Sequence, residues 1–280
     1  MMPLVSVAEL REELGDAYAG AHGGAVRLLD VRWSLARPDG RPAYLESHLP
    51  GAVYVDLDAD LAAHGEPEDG RHPLPDHGAL QAAARRWGLN DGDTVVVYDD
   101  GPSLAAARAW WLLRHAGVDA RILDGGLAAW VADGGPVESG GVEVEPGTMA
   151  LAWGLMPVVD LAEAATWPGH GILMDARAPE RFRGESEPID PRAGHIPGAV
   201  NVPTAGNVGA DGRFLAREEL AARFADAGVG HDSEVAVYCG SGVTAAHEIA
   251  ALEVAGVRAA LYPGSWSQWS NTPGTEVATG

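Results

Sequence analysis

The chain repeats itself. Residues 95–130, "VVVYDDGPSLAAARAWWLLRHAGVDARILDGGLAAW", parallel residues 235–269, "VAVYCGSGVTAAHEIAALEVAGVRAALYPGSWSQW". Upstream, "SHLPGAVYVD" (47–56) parallels "GHIPGAVNVP" (194–203), and "LLDVR" (28–32) parallels "LMDAR" (173–177). Three blocks in the same order, each displaced by roughly 140–147 positions, mean a duplicated domain. Two copies are too few for a solenoid, so each copy has to close its own core.

Within each copy, short Val/Leu/Ile runs alternate with helical patterns. "EVAVYC" reads as a buried strand, and Ala245, Ile249, Leu252 and Gly256 then follow at helical spacing. Gly256 sits where a helix C′ residue belongs, and "VRAALY" resumes as a strand. Strand, helix, strand implies a parallel sheet with helices on its faces. The predicted fold is therefore α/β, with two homologous domains over residues 1–135 and 157–280. Between them, 136–156 reads as a linker, since the Gly-, Pro- and Glu-rich "GGPVESGGVEVEPGTMALAW" (134–153) suits a segment crossing the surface.

Composition removes several classes of function. The formal net charge of −21 argues against nucleic acid and anionic membrane surfaces as partners. All 19 basic residues are arginine, and the missing lysine excludes a Schiff-base enzyme and a P-loop. No apolar stretch approaches the ~20 residues that span a bilayer. The N-terminus lacks a basic segment followed by an apolar core, so no secretory signal is expected. A lone cysteine makes no internal disulfide, which fits a reducing cytoplasm. His64, His72 and His77 show no tight ligand spacing, and neither metal nor cofactor is expected.

That cysteine, Cys239, ends a predicted strand, and Gly240-Ser241-Gly242 leads straight into a helix starting near Val243 or Thr244. Ligands of parallel α/β sheets bind at the carboxyl ends of strands. A helix N-terminus adds unpaired N–H groups and partial positive charge, and glycines let several N–H groups converge on one point. The matching residue of the first copy is Asp99, so the thiol occurs once although the scaffold occurs twice. A core-packing role would suit either copy. A nucleophile facing an anion nest suits only this one.

"CGSGVTA" between a strand and a helix, in the second of two homologous halves, resembles the tandem-domain rhodanese-type sulfurtransferases, and among them the 3-mercaptopyruvate branch. "HLPGA", "HIPGA" and "GSWSQW" carry the resemblance over nearly the whole chain. It implies that Cys239 takes sulfur from a small-molecule donor and becomes a persulfide. Backbone N–H groups from Gly240 through Gly242 and Val243 to Thr244 would hold the outer sulfur. A thiol acceptor, such as thioredoxin or a low-molecular-weight thiol, or cyanide would then remove it.

The resemblance also implies supporting residues. Ser241, neutral and small where thiosulfate-specific relatives carry basic side chains, would act with His72 of "GRHPLP" and Asp58 of "VDLDAD", with Asp56 and Asp60 as rivals for the last. Arg181, in its "RF" pair, matches the first arginine of the donor site, and Arg192 is the nearest candidate for the second. A bidentate guanidinium suits the carboxylate of the donor. His48 and His195 recur in both copies and read as structural.

Three rivals bound this reading. A cysteine phosphatase needs Cys-x₅-Arg, but the sixth residue after Cys239 is Ala245. A non-catalytic binding protein on this scaffold would be expected to lack the cysteine. Thiosulfate as the donor stays open.

Overall fold

Nine strands, paired in parallel, form two sheets in a computed structural model that describes residues 2–18 and 25–280. The first sheet comprises β1 (Leu4–Val5), β2 (Val26–Asp30), β3 (Val53–Tyr54), β4 (Thr94–Tyr98) and β5 (Asp119–Leu123), in spatial order β1-β5-β4-β2-β3. The second comprises β6 (Ile172–Asp175), β7 (Val200–Asn201), β8 (Val235–Tyr238) and β9 (Ala259–Leu261), in order β7-β6-β8-β9. The second order matches β3-β2-β4-β5 of the first. A parallel bridge from Val158 to Leu261 supplies what β1 supplies to β5. This is the α/β duplication read from the sequence.

The chain divides into two compact units. One consists of Met1–Ala62, Pro75–Leu155 and Ala210–Phe214; the other of Ala63–Leu74, Met156–Gly209 and Leu215–Gly280. The segment 63–74, encoded within the first copy, thus counts with the second unit, and His72 with it. Residues 136–155 form an extended strap on the first unit. Met149 N donates to Leu89 O at 3.0 Å and Ala152 N to Ala116 O at 2.9 Å, which satisfies backbone that has no sheet or helix of its own.

Both units repeat one set of polar anchors. The buried carboxylates Asp30 and Asp175 accept forked bonds from Arg32 and Arg177 two residues on, with Nη2–Oδ2 distances of 2.9 Å and 2.6 Å. Tyr98 Oη accepts from Leu49 N at 2.9 Å, and Tyr238 Oη from Ile196 N at 3.1 Å. His48 Nδ1 lies 2.9 Å from Tyr44 O, and His195 Nδ1 lies 2.8 Å from Phe182 O. The two recurring histidines are therefore backbone tethers, as their duplication implies. Around these anchors, matching residues fill the cores: Leu28, Val96, Tyr98 and Trp130 in one unit, Leu173, Ala236, Tyr238 and Trp269 in the other.

The helix Val243–Ala255 buries side chains on every face, including Ala246, Ile249 and Leu252. A helix apolar all round belongs inside the fold rather than on its surface. It stops at Gly256, whose φ of 87° is the left-handed conformation that glycine adopts without strain.

Candidate active site

Cys239 follows β8 directly and is buried, 2% exposed. The next three residues turn the chain into the helix beginning at Val243. Gly242, with φ of 78°, makes that turn, and a Cβ there would meet Pro263 O at 2.6 Å. Gly242 N donates to Cys239 Sγ at 3.2 Å, so the loop already points an N–H at sulfur. Val243 is buried and Thr244 half-buried at the helix N-terminus, where unpaired amides and the helix dipole favour negative charge.

The loop is held from behind by the start of the helix Ser265–Asn271. Ser265 Oγ accepts from Cys239 N at 3.1 Å, Trp266 N donates to Cys239 O at 2.9 Å, and Ser267 N donates to Gly240 O at 2.9 Å. Ser265 sustains this from φ of 52°, a conformation costly for a residue with a Cβ. The polar backbone of Cys239 is thus fixed while its sulfur faces the loop amides.

The first unit shows what such a cradle accepts. Asp99, at the position of the cysteine, receives N–H bonds from Gly101, Ser103, Ala105 and Ala106 at 2.9, 3.0, 3.0 and 3.2 Å. Four amides converge on one carboxylate. Burial nevertheless pushes the Asp99 carboxyl up to about 6, the N–H bonds opposing it only in part. The anion site of the first unit is filled by its own side chain, and the connection to the following helix is one residue longer there than after Cys239.

Beside the second loop, His72 Nδ1 lies 2.8 Å from Ser241 Oγ, and both residues are buried. The structure brings together Cys239, Ser241 and His72. Asp58 belongs to the first unit, where Trp33 Nε1 donates to its Oδ2 at 3.3 Å. Its two rivals are committed locally, Asp56 as the cap of Leu57–Asp60 and Asp60 to Arg86 at 2.6 Å.

Arg181 reaches the loop. Glu187, whose side chain is only 3% exposed, grips it through Nη2 at 2.7 and 2.9 Å and Nε at 3.2 Å. Glu187 also accepts from Arg177 at 3.3 Å, which links the site to the buried Asp175–Arg177 anchor. Arg192 does not serve the loop. It donates to Ser270 O and Thr275 O at 2.7 Å, to Trp269 O at 2.5 Å and to Thr272 O at 3.2 Å. It therefore caps the carbonyl end of the helix Ser265–Asn271, where cations are favoured. Sequence reasoning missed Arg71, whose guanidinium takes a place beside Arg181; the only signal was its adjacency to His72 in "GRHPLP". Among the described residues, no group of three or more His, Cys, Asp or Glu is placed to hold a metal ion.

The rhodanese-like domain family matches residues 13–133 and again 158–272. A Mycobacterium tuberculosis protein named "Putative thiosulfate sulfurtransferase SseB" is 49% identical over 262 residues, covering 92% of both chains. A Pseudomonas aeruginosa protein named "Probable 3-mercaptopyruvate sulfurtransferase" is 46% identical over 261 residues, covering 90% of this chain and 92% of that one. The crystal structure of SseA from Escherichia coli, a 3-mercaptopyruvate sulfotransferase, superposes with a TM-score of 0.82 at 34% identity, over 95% of this chain and 99% of that one. By the two matched segments, the shared architecture and these relatives, the chain belongs to the rhodanese family and carries its domain twice.

Proposed function

We propose that this protein is a sulfurtransferase that takes sulfur from 3-mercaptopyruvate onto Cys239 and passes it, through a persulfide, to a thiol or to cyanide. The Ser241–His72 hydrogen bond beside the cysteine carries the choice of donor. A thiol donor must lose a proton and its carbon fragment must gain one, so a relay at the loop has work with this donor. Thiosulfate carries no such proton.

The steps balance within these residues. The donor's thiol proton passes through Ser241 to His72. Cys239, as thiolate, forms an S–S bond to the donor sulfur while the donor's C–S bond breaks. The bonding pair stays on carbon as the enolate of pyruvate, which takes up the relayed proton. The outer sulfur keeps a negative charge, met by the amides of Gly240, Ser241, Gly242, Val243 and Thr244 and by the helix N-terminus. An acceptor thiolate then bonds to that sulfur, the S–S bond to Cys239 breaks, and the thiolate of Cys239 returns. Arg181, set by Glu187, holds the donor carboxylate.

The acceptor is a thiol such as thioredoxin or a low-molecular-weight thiol, and the place of action is the cytoplasm, where a lone thiol stays reduced. Among the described residues no helix is long and apolar enough to cross a membrane. The N-terminal domain, 1–135, is catalytically silent as a sulfur carrier, because Asp99 fills its cradle, although it encodes the relay residue His72; 157–280 carries the catalytic Cys239. The name of the Mycobacterium relative favours thiosulfate as a second reading. Steady-state kinetics with both donors test the choice: a larger kcat/KM for 3-mercaptopyruvate is expected, and a larger one for thiosulfate would reverse it.

A further inference from the structure

Beside the support of the cysteine loop lies a cavity of about 670 Å³ that the sulfur chemistry leaves unused. One wall is the stretch 262–264, in which Pro263 is the residue that Gly242 packs against. Another wall is the arm 63–74, through Asp69, Pro73 and Leu74. Ala63 N donates to Pro73 O at 3.0 Å, which closes the arm on itself, and Arg71 N donates to Ser267 Oγ at 3.1 Å. A Cβ on Gly70 would meet Gly264 O at 2.9 Å, so arm and loop support touch with no side chain between them. The cavity is thus bounded both by the support of Cys239 and by the segment that presents His72.

Its lining is mostly apolar, and Val158, 39% exposed, leaves an aliphatic side chain open to this space. A cavity of this size, with apolar walls and a few polar groups, has the make-up of a small-molecule site. The charge at its rim is negative. Asp69 Oδ2 accepts from Glu66 N at 2.9 Å, and Asp160 Oδ1 accepts from Glu163 N at 2.8 Å. Each carboxylate caps a helical turn with one oxygen, and among the described residues its other oxygen has no partner and no ion pair. No arginine lines the cavity. His64, Asp69 and Asp160 do not come together as a set of metal ligands. The cation that fits therefore brings an apolar body of its own, which the walls can cover while the carboxylates meet its charge.

We propose that this cavity binds an organic ammonium ion, with its charge toward Asp69 and Asp160 and its body against Val158 and Leu161, and that the bound ion steadies the arm carrying His72. A ligand that needs arm and loop support together stabilises that arrangement by its own binding free energy. The site stands apart from the sulfurtransferase reading; only the meaning of a steadier His72 rests on it.

The test is isothermal titration calorimetry of the full chain with benzylammonium at neutral pH and constant ionic strength, with benzyl alcohol as the neutral counterpart. One equivalent of benzylammonium is expected to bind with a Kd of about 1 mM, and benzyl alcohol about tenfold more weakly. Asparagine keeps a capping oxygen and loses the charge, so Asp69→Asn and Asp160→Asn stay folded and each raise Kd about fivefold. Asp232→Asn, which removes a fully exposed carboxylate elsewhere, stays at wild type. Hydrogen exchange at the amides of Ala63 and Arg71 slows when the probe saturates. No saturable binding, equal affinity for the alcohol, or a Kd unchanged in both cavity variants would overturn the site. Saturable binding with unchanged exchange in the arm would overturn the link to His72. Cys239→Ser should bind benzylammonium as wild type does, whereas turnover by that variant would sink the sulfurtransferase reading instead, so the two failures are told apart.

Discussion

His72 Nδ1 and Ser241 Oγ meet at 2.8 Å across 169 positions of sequence. Both side chains are buried, so bulk water does not readily stand in for either one. A hydroxyl in contact with an imidazole can pass a proton in either direction, and that is the service a thiol donor requires.

Removing the relay should therefore separate the donors. Ser241→Ala and His72→Asn are expected to lower kcat with 3-mercaptopyruvate by about 100-fold, within the range for a lost general acid–base group. Transfer from thiosulfate should fall far less. Kinetics of both variants with both donors decide it, and equal proportional losses would mean that the pair only shapes the turn.

Arg192 is predicted to matter for stability and not for the donor. It donates to four backbone carbonyls at and beyond the end of the helix Ser265–Asn271. Arg192→Met should destabilise the fold by about 2–4 kcal/mol, given the worth of charged hydrogen bonds. The KM for 3-mercaptopyruvate should stay within about twofold of wild type, since no lost bond faces the donor. A raised KM with an unchanged melting temperature would restore it to the donor site.

Glu248 makes stability depend on pH. It lies fully buried on the helix that follows the cysteine loop, with Asn207 Nδ2 donating to it at 2.7 Å. Burial lifts its carboxyl from 4.5 to about 7, against the pull of Thr204, Asn207 and Arg223. The folded state thus prefers the protonated form, and the unfolded chain releases that proton earlier. The resulting stability is whole below pH 4.5 and is lost as pH rises through about 7, a loss on the order of 3 kcal/mol. Glu248→Gln cannot ionise and should escape this loss. Melting temperatures across this range should move in favour of the variant as pH rises, and a difference independent of pH would contradict the assignment.

Much of this fold was legible because duplication makes a sequence its own comparison. The two copies revealed the strands, the C′ role of Gly256 and the tethering by His48 and His195, each supported by local pattern or by recurrence. Cys239 stood out because its partner position holds Asp99. What escaped were contacts between distant residues with no periodicity to announce them. Arg71 finds Asp190 across 119 positions, and Arg192 reaches carbonyls 77 to 83 positions away. Segment 63–74 follows first-copy strands in the chain yet packs with the second unit, a choice made by tertiary contacts alone.

The account stands on sulfur carried by Cys239. Purified protein given 3-mercaptopyruvate without an acceptor, digested and analysed by mass spectrometry, should show one added sulfur atom on the peptide holding Cys239, and thiol treatment should remove it. Cys239→Ser should show neither the adduct nor turnover above a few percent of wild type while keeping its fold, since a hydroxyl forms no persulfide. Turnover by the serine variant, or wild-type turnover with no sulfur ever found on Cys239, would contradict the account.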